Sequence, residues 1–355
     1  MDFSRTLIIK PSSLGDIVQA LPVLTSLREA HPTAHIAWLV ATVFADLLEG
    51  HPRIDRVVMF DRRRYGRIGQ SLAATGEFVA FVETLRSEKF TTVIDLQGLF
   101  RSGFLAAATG APSRVGFAAA RELAPMFYTL AVPMPRKEMH AVDRYMALAR
   151  HIGLRDPKAT DHLPVSAEAR AAVRDRLRAE GLAAGEATVV VSPHARWPTK
   201  QWPAERFAEV VRRAYEQAGA RAVLVGSGAA GPIARRIVEA AASVRPIDLV
   251  SRTTLKEVAA LAAEARAMVT NDSGPMHVAA AVGTPVVAIF GPTSAERTGP
   301  YGHGHRVLAG DVHCRPCLRR ECRYAKGPQA LACLTSVAAE EVARQLLEIL
   351  HLRKG

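Results

Sequence analysis

A chain of 355 residues exceeds one ordinary hydrophobic core, and at about 100–200 residues per domain it predicts two. With 49% hydrophobic and 23% charged residues, no run near the roughly 18 apolar residues of a membrane span, and no signal-peptide pattern in MDFSRTLIIKPSS, it reads as a water-soluble, cytoplasmic globular protein. The net charge of +12, with 38 arginines among 46 basic residues, suits a partner bearing phosphate or carboxylate; nucleic acid is not expected, since basic and aromatic residues do not interleave and no basic helix has base-reading spacing.

Taken in chain order, apolar runs at 6–10, 35–40, 56–60, 91–95 and 129–132 read as strands, and helical periodicity fills 16–30, 42–49, 77–88 and 100–109 between them. This alternation implies an α/β fold with a parallel sheet covered on both faces. The rhythm pauses over 154–187 and resumes with strands at 188–193, 221–228, 246–250, 267–272 and 285–292, and a last amphipathic helix spans 336–351 with Ser336 as its N-cap. The expected architecture is two Rossmann-like doubly wound domains, 1–170 and 171–335, followed by a C-terminal helix, 336–355. A crevice between two such domains, at the carboxyl ends of the strands, is the expected ligand site.

The first strand gives way to KPSSLGD at 10–16. Neither a G-x-G-x-x-G fingerprint nor a P-loop is present, which disfavours a nicotinamide oxidoreductase. What remains is a carboxylate, Asp16, on a turn kept open by Gly15, with Lys10, Ser12 and Ser13 as donors around it. Asp16 is either a plain helix cap or a general base acting on an acceptor hydroxyl.

In the second half, VTNDSGPMHVAAAVG places Asp272 or Ser273 at a helix cap and Pro275 in the first turn, so that the amides of Ser273, Gly274 and Met276 form an anion site, with His277 one turn on. In SPHARWPTKQWP, Arg196 and Lys200 supply charge to a nucleotide or leaving diphosphate, or are surface cations beside a Trp-lined turn. Four cysteines, Cys314, Cys317, Cys322 and Cys333, fall within twenty residues as C-x2-C-x4-C-x10-C. That spacing admits a structural zinc or, second to it, an iron–sulfur cluster, four reduced thiols without a metal, or a pair of redox-sensitive disulfides.

Together, KPSSLGDIVQALPVLTSLREAHP, DLQGLFRSG, PHARWPTKQWP and NDSGPMHVAAAVGTPVVAIFGPTSAERTGPYG resemble the ADP-heptose:lipopolysaccharide heptosyltransferases, glycosyltransferase family 9, over about residues 5–350. The resemblance implies a GT-B fold, with acceptor bound by the first domain, donor by the second, and a C-terminal helix able to return to the first. It implies inverting, metal-independent transfer of heptose from ADP-heptose to the Kdo/heptose inner core of lipopolysaccharide. Asp16 is then the base, Lys200 lies near the donor phosphates, and the turn at Asp272, Ser273 and Gly274 holds heptose and diphosphate. Arg62, Arg63 and Arg64, with Arg121, His140 and Arg144, fall in acceptor-side regions. No cofactor is expected for catalysis. The positive charge, beyond what base composition brings, gains a use in transient contact with the anionic inner leaflet. The cysteines lean the chain away from the first heptosyltransferase of the pathway, toward relatives that resemble the second and other family 9 members. The alternative on the same fold is a transferase or epimerase using another nucleotide sugar.

Overall fold

Twelve strands form among the described residues of the computed structural model, which are 1–67, 69–134, 138–324 and 326–352. The first sheet contains β1 (Arg5–Ile9), β2 (His35–Ala41), β3 (Arg56–Phe60), β4 (Thr92–Asp95), β5 (Ser113–Phe117) and β6 (Leu130–Val132), in the order β3-β2-β1-β4-β5-β6. The second contains β7 (Thr188–Ser192), β8 (Arg221–Leu224), β9 (Ile247–Asp248), β10 (Ala267–Asn271), β11 (Val286–Phe290) and β12 (Arg306–Ala309), in the order β12-β11-β10-β7-β8-β9. All pairings are parallel. Counted from its own first strand, each sheet therefore has the same order, 3-2-1-4-5-6, with its topological switch between the first and fourth strands.

Register then decides which turns meet. Ile9 pairs with Asp95, and Ser192 with Thr270, so the turns after β1 and β4 leave the first sheet side by side, as do those after β7 and β10 in the second. Central strands are buried on both faces, as a helix-covered parallel sheet requires: Leu7, Ile8 and Ile9, and likewise Val189, Val190 and Val191, are almost wholly shielded.

Two strands escape sequence reading. SRVGF of β5 carries an arginine and a glycine, and RVLA of β12 is a short, half-exposed strand at the sheet edge. The first helix starts at Leu14, not Asp16, because Ser13 takes the N-cap position; Gly15 is thus a buried helical residue rather than a turn glycine. Ser336 caps nothing ahead of it: it ends a short helix, Ala332–Thr335, donating to Ala332 O at 2.6 Å, and the last helix is Ala339–Leu352. Of the expected segment 336–355, residues 353–355 lie outside the described residues.

The chain divides into two units, Met1–His162 and Leu163–Gly355. A divide at 170/171 would cut helix Ala167–Ala179, whose Arg170 and Arg174 both pair with Glu264, at 2.6 and 3.0 Å, and whose Arg176 pairs with Glu257 at 3.1 Å. Helix Ala339–Leu352 belongs to the second unit, which corrects its expected return to the first. Val342, Leu346, Ile349 and Leu350 complete a core with Trp202, Phe207, Val211, Val269 and Ile289.

The first unit ends on a histidine pair. Buried His51 accepts from Arg53 N at Nδ1 (3.2 Å), leaving Nε2 to donate to His162 O (3.0 Å), while His162 Nδ1 meets Thr25 Oγ1 at 3.0 Å. Burial pushes both imidazoles below the ordinary histidine range. A depressed folded-state value means the neutral rings stabilise the fold above pH ~6.5 and that this stability is lost as pH falls. The melting temperature of the first unit should accordingly fall on acidification from about pH 6.5 to 5. In His51→Gln the drop over the same window should be smaller, and an equal drop would remove His51 from the explanation.

Candidate active site

At the first switch point, Lys10 follows β1 and is buried. Its ammonium donates to Leu96 O beyond β4 at 3.1 Å and lies 5.2 Å from the centre of the Tyr145 ring. Arg144 covers the same ring at 5.3 Å and that of Phe117 at 5.4 Å. Both Arg144 Nε and Tyr145 OH are buried without a hydrogen-bond partner among the described residues. Two cations beside one aromatic ring, with an orphaned donor on each of two side chains, make an arrangement suited to an anion.

Asp16 stands three residues past the N-cap, half-buried. Ser13 donates twice to one carboxylate oxygen, Oδ2: from its amide at 3.0 Å and from its hydroxyl at 2.6 Å. Ser13 is therefore the partner that fixes Asp16 rather than an independent donor to a ligand, and the carboxylate sits at the positive end of a 17-residue helix.

Neighbouring elements present further cations. Arg62, Arg63 and Arg64 form an exposed turn capped by Asp61, with Arg64 engaged by Glu77 through both Nε and Nη2. Arg121 is exposed and its amide bonds Gly98 O at 3.0 Å, which ties it to the turn after β4. His140 caps helix Ala141–His151, its Nδ1 accepting from Val142 N at 3.2 Å.

That β4 turn is organised by a group sequence reading passed over. Asp95 is fully buried; Gln97 N (2.8 Å) and Gly98 N (3.1 Å) donate to Oδ1, and Ser102 Oγ (2.7 Å) and Tyr128 OH (2.7 Å) to Oδ2. Burial pushes this carboxyl up while the four donors, Tyr128 first, oppose it; burial and the Asp95 charge together push the Tyr128 phenol far up, keeping it a donor. Gly98 takes φ +66 with Ala120 close by, a conformation costly for a side chain.

At the second switch point, Lys200 Nζ is 2.6 Å from Asp272 Oδ2, and Thr293 Oγ1 donates to the same oxygen at 2.5 Å. Lys200 also lies over Trp197, 4.7 Å from its ring centre. Asp272 is 6% exposed, so its carboxylate serves as the holder of Lys200, not as a helix cap. Removing one member of such a shielded pair costs about 3–5 kcal/mol, because the other charge is stranded.

Asn271 sets the height of this loop: Nδ2 donates to Pro193 O at 2.6 Å and Oδ1 accepts from Trp202 N at 3.1 Å. Ser273 is the N-cap of helix Gly274–Ala281, with Pro275 in its first turn and His277 buried within it. Met276 N already donates to Ser273 O at 3.2 Å, which corrects its expected place among the anion-facing amides and leaves Ser273 and Gly274. Arg196 is exposed on the same loop as Lys200.

The four cysteines are free and half-buried, and all four line one small cavity. Among the described residues no three His, Cys, Asp or Glu side chains stand in metal-binding geometry as they are.

Two doubly wound parallel units, each with its functional turns at the switch point, define the GT-B fold. The E. coli heptosyltransferase WaaC solved with ADP matches it with a TM-score of 0.75 at 27% identity, over 97% of this chain and 99% of that one. Lipopolysaccharide heptosyltransferase 1 of Pseudomonas aeruginosa is 32% identical over 357 residues, 96% of this chain and 97% of that protein. Lipopolysaccharide heptosyltransferase 2 of E. coli K12 is 27% identical over 86% of this chain and 87% of that protein. The chain belongs to glycosyltransferase family 9 (heptosyltransferase), whose description matches residues 78–327, and it is a glycosyltransferase.

The Asn271 clamp yields a structural test. Asn271→Ala strands two buried backbone groups, at about 1–3 kcal/mol each. It should lower the urea midpoint and expose the Lys200–Gln201 bond to trypsin, whereas unchanged cleavage would show the loop is held by other means.

Proposed function

We propose that this chain transfers heptose from ADP-heptose to the Kdo/heptose inner core of lipopolysaccharide with inversion at the anomeric carbon. The first unit binds the acceptor and the second the donor. The observation that carries the reading is the parallel placement of two different constellations at the same topological point: a Ser13-held carboxylate in one unit, an Asp272-held ammonium in the other. The solved relative containing ADP and the relatives named as lipopolysaccharide heptosyltransferases support the donor and acceptor classes.

The chemistry follows from these groups. Asp16 takes the proton of the acceptor hydroxyl as its oxygen forms the bond to the anomeric carbon. The bond from that carbon to the diphosphate oxygen breaks, and ADP departs with the electron pair. Lys200 keeps donors for the diphosphate while one hydrogen bonds Asp272, and the Ser273 and Gly274 amides add the partial charge of a helix N-terminus. Arg196 and His277 complete donor binding. No step in this scheme requires a metal ion.

An acceptor rich in carboxylates and phosphates matches Lys10 and Arg144 on Tyr145, with Ser12, Arg62, Arg63, Arg64 and Arg121 as outer contacts and His140 shaping the helix that carries Arg144. The same unit exposes Leu123, Met126, Phe100 and Phe104, the two phenylalanines packed on Phe127 at 5.3 and 6.3 Å. Apolar side chains beside basic ones suit brief contact with an anionic inner leaflet by a cytoplasmic, peripheral enzyme. No helix among the described residues is long and apolar enough to cross a membrane.

Mass spectrometry of an inner-core acceptor bearing Kdo, with or without one heptose, tests the reading after incubation with ADP-heptose. Wild type should add one heptose, and Asp16→Asn should add none while binding ADP normally; turnover within a few-fold of wild type would end the base assignment. Lys200→Ala should lower kcat/KM for the donor by roughly 10²–10³-fold, with unchanged kinetics returning Lys200 to a surface role. No gain on either acceptor would redirect the search to other nucleotide sugars.

A further inference from the structure

We propose that Cys314, Cys317, Cys322 and Cys333 bind one zinc ion in a tetrahedral four-thiolate site, and that this ion holds the loop carrying Lys200. The proposal of the site stands on this chain's own residues; its link to Lys200 rests on the donor-side reading above.

The four sulfurs come from a pair spaced C-x2-C, a third five residues on, and a fourth at the start of helix Ala332–Thr335, yet all border one cavity of about 20 Å³, together with Thr199 and Pro292. A set of four soft sulfur ligands suits zinc, which imposes no geometry of its own beyond tetrahedral packing. Leu331 N donates to Cys322 Sγ at 3.5 Å, the kind of backbone bond that orients a thiolate ligand. Binding replaces four S–H protons by one divalent cation, leaving two net negative charges. Arg323 borders the cavity, and Arg315, Arg319 and Arg320 share its segment, so that charge has cations near it. Leu318 and Leu331 both hold positive φ, 55° and 53°, an uncommon backbone conformation for leucine.

The walls of this cavity adjoin the donor-side residues in sequence: Thr199 precedes Lys200, and Pro292 precedes Thr293. Thr199 Oγ1 donates to Arg319 O at 2.8 Å, Leu318 N to Pro292 O at 2.9 Å, and Arg315 to Gly291 O at 2.7 Å and Thr293 O at 3.3 Å. Arg320 stacks on Trp197, the ring that also carries Lys200, at 5.4 Å. Closing four thiolates on an ion therefore braces both ends of the Lys200–Asp272–Thr293 group. These cysteines are positioning residues, with no part in the reaction itself.

The test begins with metal analysis of the full-length wild-type chain purified without chelators. The expected result is close to one zinc per chain, with thiols unreactive under native conditions, then release of that zinc and titration of four thiols after mercurial treatment. Iron at the same stoichiometry with the same protected thiols would sustain the site and change only the ion. Substoichiometric metal with four freely reactive thiols, or a mass showing two disulfides, would overturn the site. Cys314→Ser with Cys317→Ser should abolish metal retention, and wild-type analysis stands by itself if that variant does not fold. For the link to Lys200, zinc-stripped protein that keeps its circular dichroism should bind ADP about tenfold more weakly and recover on adding zinc; unchanged ADP affinity would remove the link while leaving the metal site.

Discussion

A parallel sheet can bury both faces only if every strand is followed by a helical crossover, and where the crossovers change direction two neighbouring strand ends are left without a helix between them. Both sheets of this chain obey that constraint with the same strand order, so each has one such place, and the turns that carry Asp16, Lys200 and Asp272 leave from it. What differs is the side chain sent there. The first unit sends a carboxylate fixed by the preceding serine; the second sends an ammonium fixed by a carboxylate from the adjacent strand end. One topology thereby presents two opposite charges, each held by a partner of its own unit.

Much of this was legible in the chain because its signals are local. Ser13 and Asp16 are three residues apart, the distance at which a helix start lets one side chain reach the other's backbone, and long β-rich runs betray doubly buried strands. The partners that were not legible are distant. Lys200 and Asp272 lie 72 positions apart, Asp95 and Tyr128 33 apart, and Asn271 reaches back 78 to Pro193; no periodicity encodes such pairings. Asp272 reads as a helix cap and the Met276 amide as part of an anion turn because cap and phosphate sites share one sequence pattern, and only the geometry reveals a carboxylate that holds lysine and an amide already bonded to Ser273 O.

The arginine excess also gains a structural meaning. Arg28 donates to Pro32 O, Ala34 O and Arg53 O besides Asp55, and Arg315 gathers Gly291 O, Gly310 O and Thr293 O. A planar fork with five donors can satisfy several loop carbonyls at once, which a lysine, with its single point of charge, does less well. Part of the positive charge is thus spent on turning loops inward, and the remainder on surfaces such as Arg62 and Arg63.

Helix Ala339–Leu352 has a consequence for how the protein is made. The buried apolar residues of the first unit run from Phe3 to Leu154, so its core can close while the ribosome is still translating the second half. The second core waits for Val342, Leu346, Ile349 and Leu350, and Trp202 Nε1 for the carbonyl of Val337 at 3.1 Å. Until those codons are read, its central strands remain open on one side, so the nascent chain passes through a stage with one finished half and one exposed sheet, the stage at which a chaperone would find it.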